Sequence, residues 1–475
     1  MWARVALGRG PWSADDVPNV RPPGWQEVPP PIPDATATYT YLTQTGAAAW
    51  ASRTWAGAQA TPTFPGGGIL AAPRPEDGVV HLWLWWPDAP TFHVMRETPD
   101  GVRTPVRGAF GLPVTTPTRR NVNPNGGFET GLNGYTQLHG GVTLTQSQTA
   151  PYVAHRASAM RMMSNTTTTG VISPGVFAGA GSYTVGFNIG STTLPTSVVW
   201  SIAWLDNLGA SAGSTTLTLT ADELNAMVGQ TTRVVRQFAA PTNAVSGAAT
   251  LTVSGITASV TEVYLDAVIF ERGTTDGSYF DGTTALGAQW TGVAELSESL
   301  LAPVIELDDG EAPMDIPVTY QLFVTVALGG RVESTPVVLD SNDQVWITHP
   351  STPDTPVLIT PLGSAPVIEY AAVQGVFYPL GRRYPVVISA SQRHSATGTI
   401  TFGVVSTQER VDLEALLSDL SPVLLRVPAG YHPGDMWLSL ATLTIDPQGR
   451  KPWQETRTIT SPFWEVEAPD ALITA

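Results

Sequence analysis

Cysteine is absent from this 475-residue chain, which excludes disulfides and thiolate metal sites outright. Lysine is nearly absent too: Lys451 stands alone, and arginine supplies the other cations, a bias that points to a GC-rich genome. Charged residues make up 13% of the chain and the net charge is −16. Soluble domains usually carry about 25% charged residues. With cations this few, the clustered positive charge that nucleic acid requires is missing. Long apolar runs are missing as well. No window approaches the ~18 residues of a membrane helix, so no membrane insertion is expected. Residues 1–16, MWARVALGRGPWSADD, hold no apolar stretch of signal-peptide length. The expectation is synthesis in a cytoplasm and exit, if any, by another route such as release inside a particle.

What is abundant is turn and strand chemistry. Gly (45) and Pro (41) punctuate a chain rich in Thr, Val and Ser, the composition of many short strands joined by turns. At ~100–200 residues per domain the length predicts three or four domains. Residues 1–75 are Pro-rich, with Pro22-Pro23 and Pro29-Pro30-Pro31 bracketing Trp25. They read either as an arm lying on a neighbour or as a linker, with one strand near Thr36–Tyr41. From Val79 a continuous apolar run, Val79 to Trp86, predicts a strand buried on both faces. Phe92, Val94 and Arg96 follow with period two, then a Pro99-Asp100-Gly101 turn. The pattern stops near Pro117 and resumes at Ile316, with Val318, Tyr320, Leu322 and Val324 on one face. Between the halves lies a block of about 118–302 with its own strand-like runs, among them Tyr183–Ile189, Val198–Leu205 and Ala248–Val253. Residues 346–475 form a last β-rich unit around one helix, 407–420. Ser406 and Glu409 frame a capping box, and Leu413, Leu416, Leu417 and Leu420 form its stripe.

The two halves, 76–117 and 303–345, together resemble a fibronectin type III sandwich, with Tyr320 where a tyrosine corner would sit. The block between them opens with Asn123-Pro124-Asn125-Gly126-Gly127-Phe128-Glu129-Thr130-Gly131 and closes with Val263-Tyr264-Leu265-Asp266-Ala267-Val268. Tyr279-Phe280-Asp281-Gly282 and Trp290-Thr291-Gly292 follow. These motifs resemble the jelly-roll carbohydrate-binding modules of the 4/9 type, in the version embedded in minor tail proteins of phages of actinobacteria. Tyr135 stands where that family has Trp, and Ala267 where it has a second Asp. The C-terminal unit is similar to β-rich domains of phage distal tail and baseplate proteins. The implied fold is all-β and multidomain: a fibronectin type III-like sandwich interrupted by an inserted jelly roll, plus a C-terminal β-rich domain with one helix.

Catalytic signals are decoys. Gly209-Ala210-Ser211-Ala212-Gly213 fits a nucleophile elbow, but Ser214–Thr220 alternates as a strand where a helix is needed. The seven histidines show no zinc spacing. The acidic run Glu306, Asp308, Asp309, Glu311 reads as a solvated turn. Two binding features remain. The resemblance implies that Glu129 and Asp266 ligate a structural Ca2+, the alternative being that both accept hydrogen bonds from turn amides. Trp200 and Trp204 share a strand face and either stack on sugar rings or belong to the core. The expected function is that of a non-enzymatic virion protein, a minor tail or tail-tip component. It would assemble with other tail proteins as a homo-oligomer (trimer or hexamer) and bind host cell-wall polysaccharide. The rivals are a tail-associated glycan depolymerase or cell-wall hydrolase, and a bacterial surface adhesin.

Overall fold

Alternation of apolar and polar residues shapes strands such as Ser197–Leu205 and Ser246–Ser254, and unbroken apolar runs shape those covered on both faces, such as Val79–Trp85. The computed structural model describes residues 40–44, 50–54 and 66–469, apart from 295, 325–329, 362–367, 371, 378–385, 394, 405, 419, 432–433 and 448–456. The Pro-rich stretch 1–39, with Trp25, lies outside the described residues.

Near the N-terminus, Val79–Trp85 is the middle strand of a three-stranded sheet, between Gly68–Arg74 and Val304–Asp309. A second sheet places Gly330–Glu333, Pro317–Val324, Thr91–Glu97 and Arg103–Pro113 in that order. The hairpin Thr40–Gln44/Trp50–Thr54 extends its Gly330–Glu333 edge by parallel pairing of Leu42 with Val332. Between the sheets, Val80, Leu82 and Leu84 meet Phe92, Val94, Tyr320 and Leu322 in one core. The opposite face of the middle strand is also covered, with Val79 and Trp85 buried, as the unbroken apolar run demands.

Strands on either side of residues 114–303 therefore share sheets. The intervening chain leaves and returns at one point, because Arg119–Asn121 pairs antiparallel with Ser299–Leu301. It forms a second β-sandwich. One sheet orders Thr231–Ala239, Ser182–Ser191 and Val263–Arg272, with Ala159–Ser164 and Val142–Ser147 beyond. The other orders Ser211–Thr218, Ser197–Leu205, Ser246–Ser254, Thr168–Ala178 and Thr136–Gln137. A short helix, α1 (Ala221–Ala226), links two strands and carries a complete capping box between Thr220 and Glu223. The sequence reading missed it, although Thr220-Ala-Asp-Glu223 is the capping signature.

The C-terminal unit is a closed barrel. Thr397–Val404, Thr352–Pro361, Val345–His349, Val423–Arg426, Met436–Leu440 and Arg457–Glu465 pair in succession, and the last pairs with the first. Helix α2 (Thr407–Leu416) lies on its flank, with Ser406 accepting from the Glu409 amide. It is shorter than the 407–420 expected. Leu413 is buried, but Leu420 lies beyond the last turn at 88% exposure and leaves the apolar stripe incomplete.

The acidic run contradicts its expectation. Glu306 to Asp309 end a strand, and Asp309 and Glu311 are buried. Asp309 accepts from Arg96 at 2.6 Å and from the Tyr320 hydroxyl at 2.9 Å. Glu311 accepts from Arg107 at 2.6 Å and Arg96 at 3.2 Å. The fully buried Arg426 of the barrel donates to the Gly78 and Ala312 carbonyls, tying the barrel to the first sandwich. Glu311 does sit in the turn that follows the strand, but neither it nor Asp309 faces water. The arginines spread along distant strands give them partners inside, and no local pattern announces that.

Candidate functional site

The motif segments of the second sandwich converge on one loop, residues 154–158. Gly126 presses against the last core strand, where an added Cβ would lie 2.1 Å from the Val268 carbonyl oxygen, and its own carbonyl accepts from the Val268 amide. That close approach explains a glycine at this position. It carries Glu129 to the loop, where one carboxylate oxygen accepts from the Ala157 and Ser158 amides at 3.1 and 3.3 Å. Asp266 is fully buried. Its Oδ2 accepts from the Ala154 and His155 amides, both at 2.7 Å, and its Oδ1 from the Ala267 amide at 2.6 Å. Asp281 of the third motif accepts from His155 at 3.2 Å and Arg156 at 3.1 Å. Tyr279 packs edge-on against His155. Three carboxylates from three separated segments thus hold one five-residue loop.

The electrostatics differ between them. Burial pushes the Asp266 carboxyl up to about 6, against the opposing pull of its three amide donors. Burial also raises Asp281, but hydrogen bonds from His155 and Thr283 outweigh it and hold the group below the ordinary carboxylate range. Ala267 takes φ 50°. Alanine tolerates this left-handed conformation less readily than Asp does.

The residues present do not fit a calcium ion. The donors to Asp266 are all backbone N–H groups, two on Oδ2 and one on Oδ1, and their hydrogens occupy directions from which a cation would approach. Calcium wants six to eight oxygens. Among the described residues no group of three or more His, Cys, Asp or Glu forms a metal cluster. Glu129 and Asp266 hold turn amides, the alternative left open by the sequence.

Trp200 and Trp204 are not at a surface. Both are fully buried in the core between the sheets. Trp200 meets Phe187 and Phe270, and Trp204 donates its indole N–H to Thr215 at 2.9 Å. Of the two readings the sequence left open, burial favours the core over a sugar-stacking groove: Val198, Trp200, Ile202 and Trp204 form the inward alternation of their strand. Tyr135 is buried as well, accepting from Asn123 at 2.8 Å. Ser211 opens a strand after the Asp206–Ala210 turn, with no helix behind it.

The outward alternation of the same sheet is what a ligand would meet. Ser201 pairs with Thr216 on one side and Thr250 on the other, and Thr250 pairs with Ile172, which pairs with Thr136. One step along, Val199 pairs with Thr218 and Thr252. Among the described residues of these five strands this face carries mainly hydroxyls, methyls and small side chains, with Ile172 and Leu205 as its large apolar residues and no aromatic or charged one. This row of Ser and Thr is present in the sequence, but alternation alone does not distinguish it from the solvent face of any other strand.

No family model matches the chain, and no curated protein matches it in sequence. Distant likeness to solved structures exists. The enzymatically active domain of bacteriophage CBA120 tailspike protein 4 matches at 17% identity and TM-score 0.26, over 32% of this chain and 21% of that one. A family 16 carbohydrate-binding module matches at 14% identity and TM-score 0.25, over 32% of this chain and 99% of the module. The tandem CBM22 domains of Paenibacillus barcinonensis Xyn10C match at 10% identity and TM-score 0.23, over 72% of this chain and 96% of that one. The likeness is to carbohydrate-binding β-sandwiches and a tailspike domain, with about a fifth of the tailspike chain spanned.

Proposed function

We propose that the chain is a non-enzymatic structural protein of a phage virion, a minor tail or tail-tip component presenting a glycan-binding β-sandwich to the host envelope. In this reading the first sandwich is a fibronectin type III-like unit interrupted by a jelly roll. It and the barrel contact other tail proteins in a homo-oligomer, a trimer or hexamer. The observation that carries the binding role is the uncharged hydroxyl face of the five-stranded sheet. Threonine and serine hydroxyls donate to and accept from sugar hydroxyls, and the threonine methyls contact C–H faces. A flat face without aromatic platforms binds each site weakly, so several copies on one tail supply the avidity.

The test is incubation of the purified protein with cell-wall polysaccharide from actinobacterial hosts. Retention on the polysaccharide, insensitive to salt and without release of shorter glycan, is expected, because neutral hydrogen bonds are little screened. Product accumulating with time would favour the depolymerase reading instead. Absence of the protein from purified particles would remove the virion role.

A further inference from the structure

Two tryptophans stand on the outer wall of the C-terminal barrel, and they differ in what covers them. On Met436–Leu440, Met436 and Leu438 enter the barrel core and Trp437 points the other way. There the Arg107 guanidinium of the first sandwich lies over its ring, 5.5 Å from the centroid. On Arg457–Glu465, Ile459, Ser461 and Phe463 are buried, while Thr460, Pro462 and Trp464 form the outward alternation. Trp464 is 49% exposed, the one tryptophan in that state among the residues whose burial is described.

Strand pairing sets the neighbours of this ring. Trp464 lies between Thr397 on one side and Ser439 on the other, and Glu369 stands opposite Thr397 one strand further out. At ~4.8 Å between strands, the row Glu369, Thr397, Trp464, Ser439 runs roughly 14 Å across the wall. Along the strand, Pro462 and its partner Thr399 continue the face, both exposed. The Thr397 hydroxyl donates to the Glu369 carbonyl at 3.3 Å, which keeps its lone pairs for another donor.

This surroundings-plus-ring chemistry separates two kinds of occupant. The centre of a protein–protein contact is apolar and depleted in serine, whereas both cross-strand neighbours of Trp464 carry hydroxyls. An indole face between hydrogen-bonding groups matches a pyranose instead. The C–H face of the sugar stacks on the aromatic ring, and its edge hydroxyls reach the polar neighbours. Glu369 supplies an acceptor-only group at one end of the row.

We propose that the outer wall of the barrel is a second saccharide-binding site, with Trp464 as its stacking platform and Thr397, Ser439 and Glu369 as its hydrogen-bonding edge. It uses another domain and other residues than the hydroxyl face of the five-stranded sheet, and it stands or falls without that face. A single platform binds weakly alone, so two such sites on one chain hold a long polysaccharide far better than either does.

The test is NMR of the full chain with isotope-labelled tryptophan, titrated with soluble cell-wall polysaccharide from an actinobacterial host. The indole N–H signal missing from Trp464→Phe identifies Trp464. That signal is expected to shift in wild type, and still to shift, at higher polysaccharide concentration, in Ser201→Arg/Thr250→Arg, which blocks the sandwich face. Affinity electrophoresis in gels holding the same polysaccharide gives the second readout. Added to that double variant, Trp464→Ala is expected to weaken binding about tenfold, the scale of one aromatic contact, at unchanged melting temperature. Trp464→Phe retains part of the affinity, because a phenyl ring still stacks. A Trp464 signal that stays put at saturating polysaccharide overturns the barrel site, whether or not the sandwich face binds. Trp464→Ala binding as tightly as its parent overturns it too. A signal that moves with protein concentration and not with saccharide assigns the wall to contact between copies, and overturns it as well.

Discussion

Asp266 joins a fully buried carboxylate to three amide donors, and its raised pKa has a direction in pH. A group whose folded pKa lies above its unfolded value stabilises the fold fully below the unfolded value, here the ordinary 3.8. That contribution is lost as pH rises through about 6. The difference corresponds to on the order of 3 kcal/mol. Stability measured from pH 4 to 7 is therefore expected to fall more steeply for wild type than for Asp266→Asn. Parallel profiles would contradict the assignment. Calcium offers an independent check: since both oxygens of Asp266 accept from N–H groups, neither millimolar calcium nor chelator is expected to move the melting temperature of a metal-free sample. A rise with calcium would restore the metal site. Trp204→Ala is expected to cost ~3–5 kcal/mol in unfolding experiments, as a large core truncation does. An unchanged stability would place the ring outside the core. At this scale the sequence was only half legible. The motif residues Glu129, Asp266 and Asp281 stood out as letters, but their shared target, loop 154–158, has no motif of its own. The tryptophans stood out too, yet which face of a strand points inward depends on the opposite sheet.

Elements show the same division. The run Val79–Trp86 and the alternation at Val318–Val324 identify strands because burial on one or both faces is written into local periodicity. Helix α1 was equally legible in Thr220 and Glu223 but is too short to display a stripe. The acidic run was misread because its partners Arg96 and Arg107 lie more than 200 residues away in sequence. The structure gives that network a measurable weight. Arg96→Ala would leave Asp309 and Glu311 buried and short of a partner, a change expected to cost ~3–5 kcal/mol in denaturant unfolding. A loss under ~1 kcal/mol would mean that water or a side-chain shift relieves both carboxylates.

For the whole molecule, an all-β chain of several sheets was legible from composition and turn chemistry alone. The closure of the C-terminal barrel was not, since pairing between Thr397–Val404 and Arg457–Glu465 joins strands with no common local signal. The pairing of Arg119–Asn121 with Ser299–Leu301 sets the ends of the second sandwich side by side. Excision of residues 118–302 behind a short Gly/Ser linker is accordingly expected to leave a soluble chain with strand content intact; aggregation would show that the flanks depend on the block between them. The proposed glycan-binding role rests on the hydroxyl face of the five-stranded sheet. Its most direct test is calorimetric titration of the full chain with soluble host cell-wall polysaccharide, wild type against Ser201→Arg/Thr250→Arg. Both substitutions lie on the outward face and leave the tryptophan core untouched. The expected result is binding by wild type and at least a tenfold loss in the variant at unchanged melting temperature. Equal affinity in the two proteins would contradict the account.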